Sequence, residues 1–323
     1  MSLFNKFKKL KESPPSSQDR FYVDSVFDKL DHRIGVTAKG QPVFFIKTTP
    51  SKMHNIPISL NLIDIVFNQH CELVSTLKGK EEGEYTTVTL KTSSDDMSDY
   101  FLSSIYPLIK NLGAKPTAQS IKTELDKLVT LFKNLNNRPK NSVQGLWSEV
   151  FFIEQSKDLE YAINSWHVSK KDRYDFNDGH DKLEIKSTSS NQRIHRFNQA
   201  QLTKVKGVSV FVGSVFVLET NKGKTINDLL NTIKTKTKNQ NLIYKLNLVI
   251  SETLGRDIER IYETAYDYSF AASTKAFYNI SDIPHISKEN IPNEITNIKF
   301  DCNLEGVNQI DIAGTNSKLL KTF

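Results

Sequence analysis

The stretch that decides the fold begins as Arg173-Tyr174-Asp175-Phe176-Asn177-Asp178-Gly179 and, after His180 and Asp181, continues as Lys182-Leu183-Glu184-Ile185-Lys186-Ser187-Thr188. Both ends alternate polar and apolar residues, which is the two-residue period of a half-buried strand. The Asn-Asp-Gly turn between them is typical of a tight hairpin. We therefore expect Leu183 and Ile185 to face a core, and Asp175, Glu184 and Lys186 to share the opposite side of the sheet.

The chemistry of this hairpin follows from its charged side chains. Asp175 and Glu184, brought together by the turn, would form a hard, oxygen-rich site suited to Mg²⁺ or Mn²⁺. Lys186 would point into the same cleft. There it can orient or help deprotonate an attacking water and offset charge that grows on phosphorus oxygens. The pattern therefore indicates a metal-dependent phosphodiesterase site.

An upstream segment adds a third carboxylate. Val143–Leu159 is predicted to be a helix, because apolar residues recur in it at helical spacing. These residues are Leu146, Val150 and Ile153. Glu149 lies one position off this apolar stripe, so we expect it near a seam between helix and sheet. That position suits a ligand of a second metal or of its water.

The segment after the lysine is polar and basic, as expected where a phosphate backbone binds. Glu-x-Lys on a strand is also a common solvent-facing pattern, so the hairpin alone does not establish a site. The helix carrying Glu149 and the basic segment Ser187–Leu202 strengthen the functional interpretation. The residues predicted to contact DNA are Arg193, His195, Arg196 and Gln201, together with Lys170, Lys171 and Arg173, with Lys204 and Lys206 at the border.

Four pieces of this sequence, taken in order, resemble the PD-(D/E)XK nuclease superfamily. They are Gly145-Leu146-Trp147-Ser148-Glu149, Asp175-Phe176, Glu184-Ile185-Lys186-Ser187-Thr188 and His195 followed by Gln201-Leu202. More narrowly, they are similar to a bacterial family of PD-(D/E)XK motif proteins from restriction and phage-defence loci. One departure is Tyr174, which stands where the superfamily motif has proline.

The resemblance implies a fold, an activity and a division of roles. The fold is an α/β (α+β) restriction-endonuclease-like core, a mixed central sheet flanked by helices, with a β-rich N-terminal domain. Glu149, Asp175 and Glu184 would hold Mg²⁺ or Mn²⁺, and Lys186 would assist the water. The activity implied is metal-dependent hydrolysis of double-stranded DNA by an endonuclease of a restriction or anti-phage system, alongside a companion ATPase or methyltransferase. The resemblance is also compatible with a homodimer.

Two other functions are compatible with the same residues. The first is a non-catalytic DNA- or protein-binding subunit of a defence complex, which would be indifferent to Asp175→Ala. The second is a nuclease that acts on RNA, because nothing in the motif selects the sugar. Metal-dependent cleavage of plasmid DNA separates these alternatives.

Composition sets the outer limits. The chain has 323 residues, a net charge of +6 and a pI near 9.0, which favours an acidic polymer as partner. Two cysteines, Cys71 and Cys302, cannot build a disulfide framework or a zinc site, so we expect a reducing cytoplasm. No apolar run of 18 residues is present to span a membrane. The predicted organisation is a basic flexible N-terminus (1–20), a β-rich domain (21–115) and a nuclease domain with a helical bridge and a C-terminal extension (116–323).

The remaining elements are predicted from periodicity and turn residues. Predicted strands are Gln41–Lys47, Ile56–Phe67, Glu84–Lys91, Val208–Leu218, Phe277–Ile280 and Ile298–Leu304, with a flexible joint at Ser13–Gln18 and a charged turn at Lys78–Gly83. Predicted helices are Asp96–Leu112, Thr117–Leu135, Thr225–Lys238, Asn239–Leu254 and Arg256–Ser269.

Overall fold

The structure, a computed structural model, describes residues 3–12, 21–27, 30–49, 55–75, 79–169, 172–204, 207–287 and 290–323. The chain divides into two compact units, residues 1–138 and residues 139–323. The joint predicted at Ser13–Gln18 lies outside the described residues, as do Lys78, Lys170, Lys171 and Lys206. The predicted domain limits at 20/21 and 115/116 stay predictions.

The first unit is a small β-barrel with helices. Its elements are helix α1 (Leu3–Lys11), strands β1 (Phe21–Ser25), β2 (Arg33–Val36), β3 (Pro42–Lys47), β4 (Ile58–Ser59), β5 (Ile63–Ser75) and β6 (Gly79–Leu90), and helices α2 (Asp95–Leu112) and α3 (Ala118–Asn134). Strands β1, β2, β3, β6 and β5 pair in that order, and β1 also pairs with β5, so five strands close on themselves. The β-rich N-terminal region is thus confirmed.

Helices α2 and α3 follow the barrel and begin at side-chain caps. Ser94 accepts a hydrogen bond from the amide of Met97, and Thr117 accepts one from Ser120. The ring centre of Phe101 in α2 lies 6.0 Å from that of Phe44 in the barrel and 6.0 Å from that of Phe132 in α3. Both helices therefore belong to the core of the first unit.

The N-terminus differs from the prediction. Residues 1–20 were expected to be flexible, but Leu3–Lys11 form α1. Phe7 and Leu10, three positions apart, are buried on one face of this helix, while its lysines are at least partly exposed. The helix was not predicted because its few apolar residues are interspersed with many lysines, which makes the amphipathic pattern weak.

The second unit contains the hairpin predicted around Asp175 and Glu184 and the segments that flank it. Its helices are α4 (Val143–Glu154), α5 (Leu159–Ser165), α6 (Ile226–Lys236), α7 (Gln240–Leu254), α8 (Arg260–Glu263), α9 (Tyr268–Thr274) and α10 (Lys318–Thr322). Its strands are β7 (Phe176–Asn177), β8 (Asp181–Thr188), β9 (Ile194–Asn198), β10 (Ser209–Phe216), β11 (Glu219–Thr225), β12 (Ala265–Tyr266), β13 (Ala276–Asn279) and β14 (Lys299–Asn303). Short 3₁₀ turns occupy Gln199–Leu202, Gly255–Asp257 and Ile312–Gly314.

A mixed four-stranded sheet forms the centre of this unit. The order is β13-β10-β8-β7, with β8 parallel to β10 and the two outer strands antiparallel to their neighbours. The parallel pair is buried between layers, as parallel strands usually are. This arrangement confirms the predicted mixed α/β fold.

Helix α4 packs closely against one face of the sheet. A Cβ placed at Gly213 would lie 2.8 Å from Cδ1 of Ile185 and 3.1 Å from the ring of Phe152. Glycine at this point of β10 therefore lets strand and helix side chains approach. Since neighbours on a strand alternate, Ile185 faces α4 and Glu184 and Lys186 face the other way, as the sequence predicted.

A second layer covers the face that carries Glu184 and Lys186. Strands β9 and β14 pair antiparallel, so a segment just after β8 is joined to one about a hundred residues later. Their apolar side chains pack on those of the central sheet. This cluster includes Tyr174, Phe197, Leu202, Val210, Val212, Tyr278, Cys302 and Leu304. The layer formed by β9 and β14 therefore partly covers the hairpin that carries Glu184 and Lys186.

Several predicted element limits are wrong. The helix predicted over Val143–Leu159 ends at Glu154, and a separate helix starts at Leu159, because Asp158 caps a new N-terminus. Arg256–Ser269 is not one helix, because it contains a 3₁₀ turn, the short helix α8, strand β12 and the start of α9. The predicted turn at Lys78–Gly83 is strand from Gly79 onwards, where cross-strand pairing overrides its charged residues.

The structure also describes the two cysteines and the apolar character of the helices. Cys71 and Cys302 are free and buried. Burial raises the pKa of the Cys71 thiol to about 11, so it stays protonated at neutral pH. Among the described residues, no helix combines the length and the apolar character that crossing a membrane requires.

Candidate metal centre and active site

Glu149 is presented by the buried helix α4. Ser142 caps the helix by accepting a hydrogen bond from the amide of Gly145 (3.0 Å). The Glu149 side chain is almost fully buried, and its Oε2 accepts hydrogen bonds from Trp166 Nε1 (2.8 Å) and His167 Nε2 (2.9 Å). Two donors on one oxygen fix the direction of this carboxylate.

Asp175 lies immediately before β7, beside the strand that carries Glu184. Its Oδ2 accepts a hydrogen bond from the amide of Ile185 (2.7 Å), and its backbone carbonyl accepts one from His167 (2.8 Å). His167 has a φ of +40°, a conformation that non-glycine residues rarely adopt. The ligand atoms of Glu149, His167 and Asp175 all lie within 4.8 Å of one another. Together they could hold a metal ion.

Glu184 and Lys186 form an ion pair on the same face of β8. Lys186 Nζ lies 2.7 Å from Glu184 Oε1 and 5.5 Å from the ring centre of Phe197. The other oxygen, Glu184 Oε2, is buried and has no hydrogen-bond partner among the described residues. A buried carboxylate oxygen without a partner is costly unless a cation or donor satisfies it.

Gln201 joins this pair from the layer above. It sits in the 3₁₀ turn Gln199–Leu202, where its Oε1 accepts a hydrogen bond from the amide of Asn198 (3.0 Å). Its Nε2 donates to Glu184 Oε1, and its Oε1 lies 3.5 Å from Lys186 Nζ. Gln201 was predicted to contact DNA. The structure directs its amide onto the carboxylate and the lysine, and its contact with DNA stays a prediction.

The carboxylates carry unfavourable charge in this environment. Burial, followed by the charges of Glu149 and Glu184, raises the pKa of Asp175 well above its usual value. Burial also raises the pKa of Glu184, although Lys186 opposes it. A cation placed among these groups would relieve the repulsion.

The basic groups respond to the same acidic cluster. Burial lowers the pKa of Lys186, but the charge and hydrogen bond of Glu184 outweigh it and raise the pKa overall. For His167, burial is likewise outweighed by the hydrogen bond to Glu149 and by nearby carboxylates, so its pKa is raised. Lys186 is therefore a cation at neutral pH.

The donor set fits a divalent cation. It consists of carboxylates, one imidazole and an unsatisfied buried carboxylate oxygen at Glu184. Carboxylate oxygens suit Mg²⁺ and Mn²⁺, whereas an imidazole favours transition metals over Mg²⁺. Glu184, predicted to share an ion with Asp175, is not one of the three close ligand groups in the described part of the chain.

Two of the residues predicted to bind DNA lie inside the protein. Arg193 Nη1 donates to the hydroxyl of Ser214 (2.7 Å), and His195 Nε2 lies 2.7 Å from the same hydroxyl. Burial, with the charges of Arg193 and Lys186, lowers the pKa of His195 to about 3. A neutral, buried histidine and an enclosed guanidinium are in no position to meet a phosphate, so their placement argues against that prediction.

The other predicted contacts divide into two groups. Arg173, Arg196 and Lys204 are exposed; Arg196 pairs with Asp301 at 2.9 Å. Lys170, Lys171 and Lys206 lie outside the described residues. DNA binding by these six side chains stays a prediction.

Trp166 and His167 were missed by the sequence analysis. Neither lies at a fixed motif spacing from Glu149, which is 17 and 18 residues away. Trp166 and Phe176 form an isolated antiparallel β-bridge, which places Trp166 and His167 beside the hairpin and within reach of Glu149. The one local signal is that both residues are nitrogen donors shortly before Asp175.

A comparison with protein families places the chain as a whole. Residues 3–305 match the family model described as "Putative PD-(D/E)XK family member, (DUF4420)". The chain belongs to this family. No curated protein and no solved structure matches it. Membership of the PD-(D/E)XK family indicates a nuclease-like function on DNA, and such enzymes typically use divalent metal ions.

Proposed function

We propose that this PD-(D/E)XK family member is a metal-dependent endonuclease that hydrolyses phosphodiester bonds in double-stranded DNA. The observation that carries the proposal is the convergence of Glu149, His167 and Asp175 within 4.8 Å, with Glu184 and Lys186 on the adjacent strand. An ion pair with a purely structural role needs only one acidic residue. Here three acidic residues converge, Glu149 from a helix, Asp175 from a loop and Glu184 from a strand.

The metal ligands proposed are Asp175, Glu184 and Glu149, with His167 as a further candidate. A divalent ion supplies Lewis acidity and a water activated for attack. Trp166 fixes the orientation of Glu149 by donating to its Oε2, and the amide of Ile185 does the same for Asp175. These donors keep the carboxylates in place before an ion is present.

Lys186 is proposed to act on the substrate. Because it is a cation held beside Glu184, it can donate hydrogen bonds to a phosphate oxygen and offset the negative charge of the transition state. Its proposed role is therefore to position the water and stabilise charge.

We also propose Mg²⁺ or Mn²⁺ as the cofactor and a restriction or anti-phage system as the setting. The second part is supported by the resemblance to motif proteins from restriction and phage-defence loci. A companion ATPase or methyltransferase belongs to the same proposal. Phage restriction in cells, with the neighbouring genes present, tests this setting.

The decisive experiment is cleavage of supercoiled plasmid with Mg²⁺ or Mn²⁺ against EDTA. We expect cleavage by the wild type and none by Asp175→Ala or Lys186→Met, while Lys186→Met still binds Mn²⁺ by calorimetry. The matched control is Asp181→Asn, on the same hairpin, which should cleave normally. Undiminished cleavage in both site variants would refute the assignment, and a protein that binds DNA but never cleaves it would be the non-catalytic alternative.

A further inference from the structure

The interior of the β-barrel in the first unit changes character along its length. One end is filled by apolar and aromatic side chains, among them Val23, Phe45, Leu73 and Tyr85. Further along β6, Thr87 and Thr89 take the inward positions, since alternate residues of a strand face the same side. Hydroxyl groups inside a small barrel require hydrogen-bond partners that an apolar core does not supply.

A cavity of about 330 Å³ opens at this polar end. Phe21, Val43 and Val66 provide apolar walls, while Gln41, Gln69 and Thr87 provide polar groups. Barrel mouths of this size and mixed lining are common places for small ligands.

A bulge in β5 shapes the rim of the cavity. The pairing of β5 with β6 shifts between Val66 and Gln69, and Asn68 within the shift has a φ of +51°. The bulge lets both Val66 and Gln69 line the mouth. The amide oxygen of Gln69 accepts a hydrogen bond from Thr87, 3.2 Å away, which leaves its NH₂ group for another partner. Bulges often aim side chains in this way at barrel rims.

The lining selects a flat, neutral and polar ligand. A phosphate is disfavoured, because Lys39 is the one basic residue among the described residues that line the cavity, and the carboxylate of Asp64, which is paired with Lys91 at 2.7 Å, also lines it. A purely apolar ligand would offer no acceptor to the amide NH₂ groups of Gln41 and Gln69, whose amide oxygens already accept hydrogen bonds from Thr37 and Thr87. An aromatic wall combined with amide and hydroxyl groups matches the face and the edge of a heterocyclic base.

We propose that the barrel mouth binds a single nucleobase, with Phe21 and Val66 against the ring and Gln41 and Gln69 at its edge. The base comes either from a free nucleoside or from a nucleotide turned out of duplex DNA. The second source rests on the proposed function, since a DNA nuclease meets duplex DNA. The first does not.

Val66→Trp and Gln69→Leu in the full-length protein test the site. Val66 is partly exposed, so tryptophan there fills the mouth without entering the buried core. Tyr22→Trp, at an exposed position on the adjoining strand and outside the cavity lining, is the matched control. Circular dichroism and thermal unfolding establish that each variant is folded.

Binding of the four nucleosides is followed by saturation-transfer NMR in EDTA. We expect transfer to base protons with wild type and Tyr22→Trp, loss of it with Val66→Trp, and about tenfold weaker binding with Gln69→Leu. Equal transfer in wild type and Val66→Trp, or none in wild type, would overturn the proposal.

A duplex carrying 2-aminopurine distinguishes the two sources of the base. A rise in its fluorescence with wild type, absent with Val66→Trp, shows that the base is turned out of DNA. Nucleoside binding without such a rise assigns the mouth to free nucleosides. If nucleosides bind but the protein never cleaves DNA, the proposed nuclease function fails while the nucleobase site stands.

Discussion

The ammonium nitrogen of Lys186 lies 2.7 Å from Oε1 of Glu184, two residues earlier on the same strand. The second oxygen of Glu184 is buried without a partner among the described residues. In the Glu184 carboxylate, Oε1 is therefore paired with a cation, whereas Oε2 has no hydrogen-bond partner among the described residues. This asymmetry holds the side chain in place while keeping one oxygen available to a cation.

Asp175→Asn should stabilise the protein in EDTA while it abolishes cleavage. Asparagine can still accept the hydrogen bond from Ile185, but it removes a charge repelled by Glu149 and Glu184. Each kcal/mol gained should raise the Tm by about 2–4 °C, as measured by differential scanning fluorimetry. A lower Tm in EDTA would show that the carboxylate is held favourably without an ion.

His167→Ala should weaken Mn²⁺ binding more than Mg²⁺ binding, because an imidazole ligand favours the transition metal. Pulsed electron paramagnetic resonance of bound Mn²⁺ should show nitrogen coupling in the wild type and none in the variant. His180→Ala, an exposed histidine on the same hairpin, is the matched control. Nitrogen coupling that persists without His167 would exclude it as a ligand.

Gln201→Ala should reduce metal affinity or activity by about 10–100-fold, the usual effect of removing a group that orients a ligand. Gln201 acts through Glu184 and Lys186, so Mn²⁺ affinity measured by calorimetry should fall along with the cleavage rate. Gln199→Ala in the same 3₁₀ turn controls for local structure, because its side chain bonds to Thr203. Equal metal affinities in these two variants would contradict the positioning role.

Neutralising Arg173, Arg196 and Lys204 together should weaken DNA binding and flatten its salt dependence. Each lost phosphate contact should reduce the slope of log K against log salt by about 0.9. The measurement is fluorescence anisotropy of a labelled duplex over a salt series. Arg256→Ala, an exposed arginine, serves as control. If the triple variant keeps the wild-type slope, the DNA-binding face lies elsewhere.

Glu154→Gln should make stability less dependent on acid pH. Glu154 is buried at the end of α4, where it accepts hydrogen bonds from Lys236 (2.8 Å) and Tyr268 (2.5 Å). Burial raises its pKa, but these bonds outweigh burial and lower the pKa below its usual value. The stabilisation is therefore present above the usual glutamate pKa and lost as pH falls through the folded-state value.

The expected loss for Glu154→Gln is on the order of 1.5–3 kcal/mol at neutral pH and much less near about pH 3. Urea unfolding at both pH values measures it. Asp126→Asn removes an exposed helical pair with Lys122 and should change stability by less than about 0.5 kcal/mol. A constant difference between Glu154→Gln and wild type across this range would contradict the linkage.

The parts of the site that follow from local alternation could be predicted from sequence. Leu183 and Ile185 set the face of β8, and the register then fixes Glu184 and Lys186 on the other face. The turn at Asn177–Gly179 follows from its residue types, and Gly179 indeed has a φ of +91°. Short-range periodicity was sufficient here because one face of the strand packs against α4.

What depends on distant partners could not be predicted. Arg193 and His195 look like surface bases in a polar segment, but Ser214 on β10 and the carbonyl of Thr274 enclose them. Likewise, no motif spacing links His167 to Glu149, because the contact between them forms only in the tertiary fold. A residue type shows which bonds a side chain can make, whereas the tertiary fold decides whether water or protein makes them.

Because β9 pairs with β14, the layer that carries Gln201 can form only after β14 has been synthesised. Asp175, Glu184 and Lys186 leave the ribosome long before Lys299–Asn303, the strand to which β9 is joined. Until that strand is made, β9 lacks its partner among the described strands, and the turn bearing Gln201 lacks the hydrogen bond that the amide of Gln199 donates to the carbonyl of Ile298. A nascent chain therefore holds the acidic and basic groups of the site without the layer that positions them. The surroundings of the candidate centre are therefore complete only after a strand made about a hundred residues later than the hairpin.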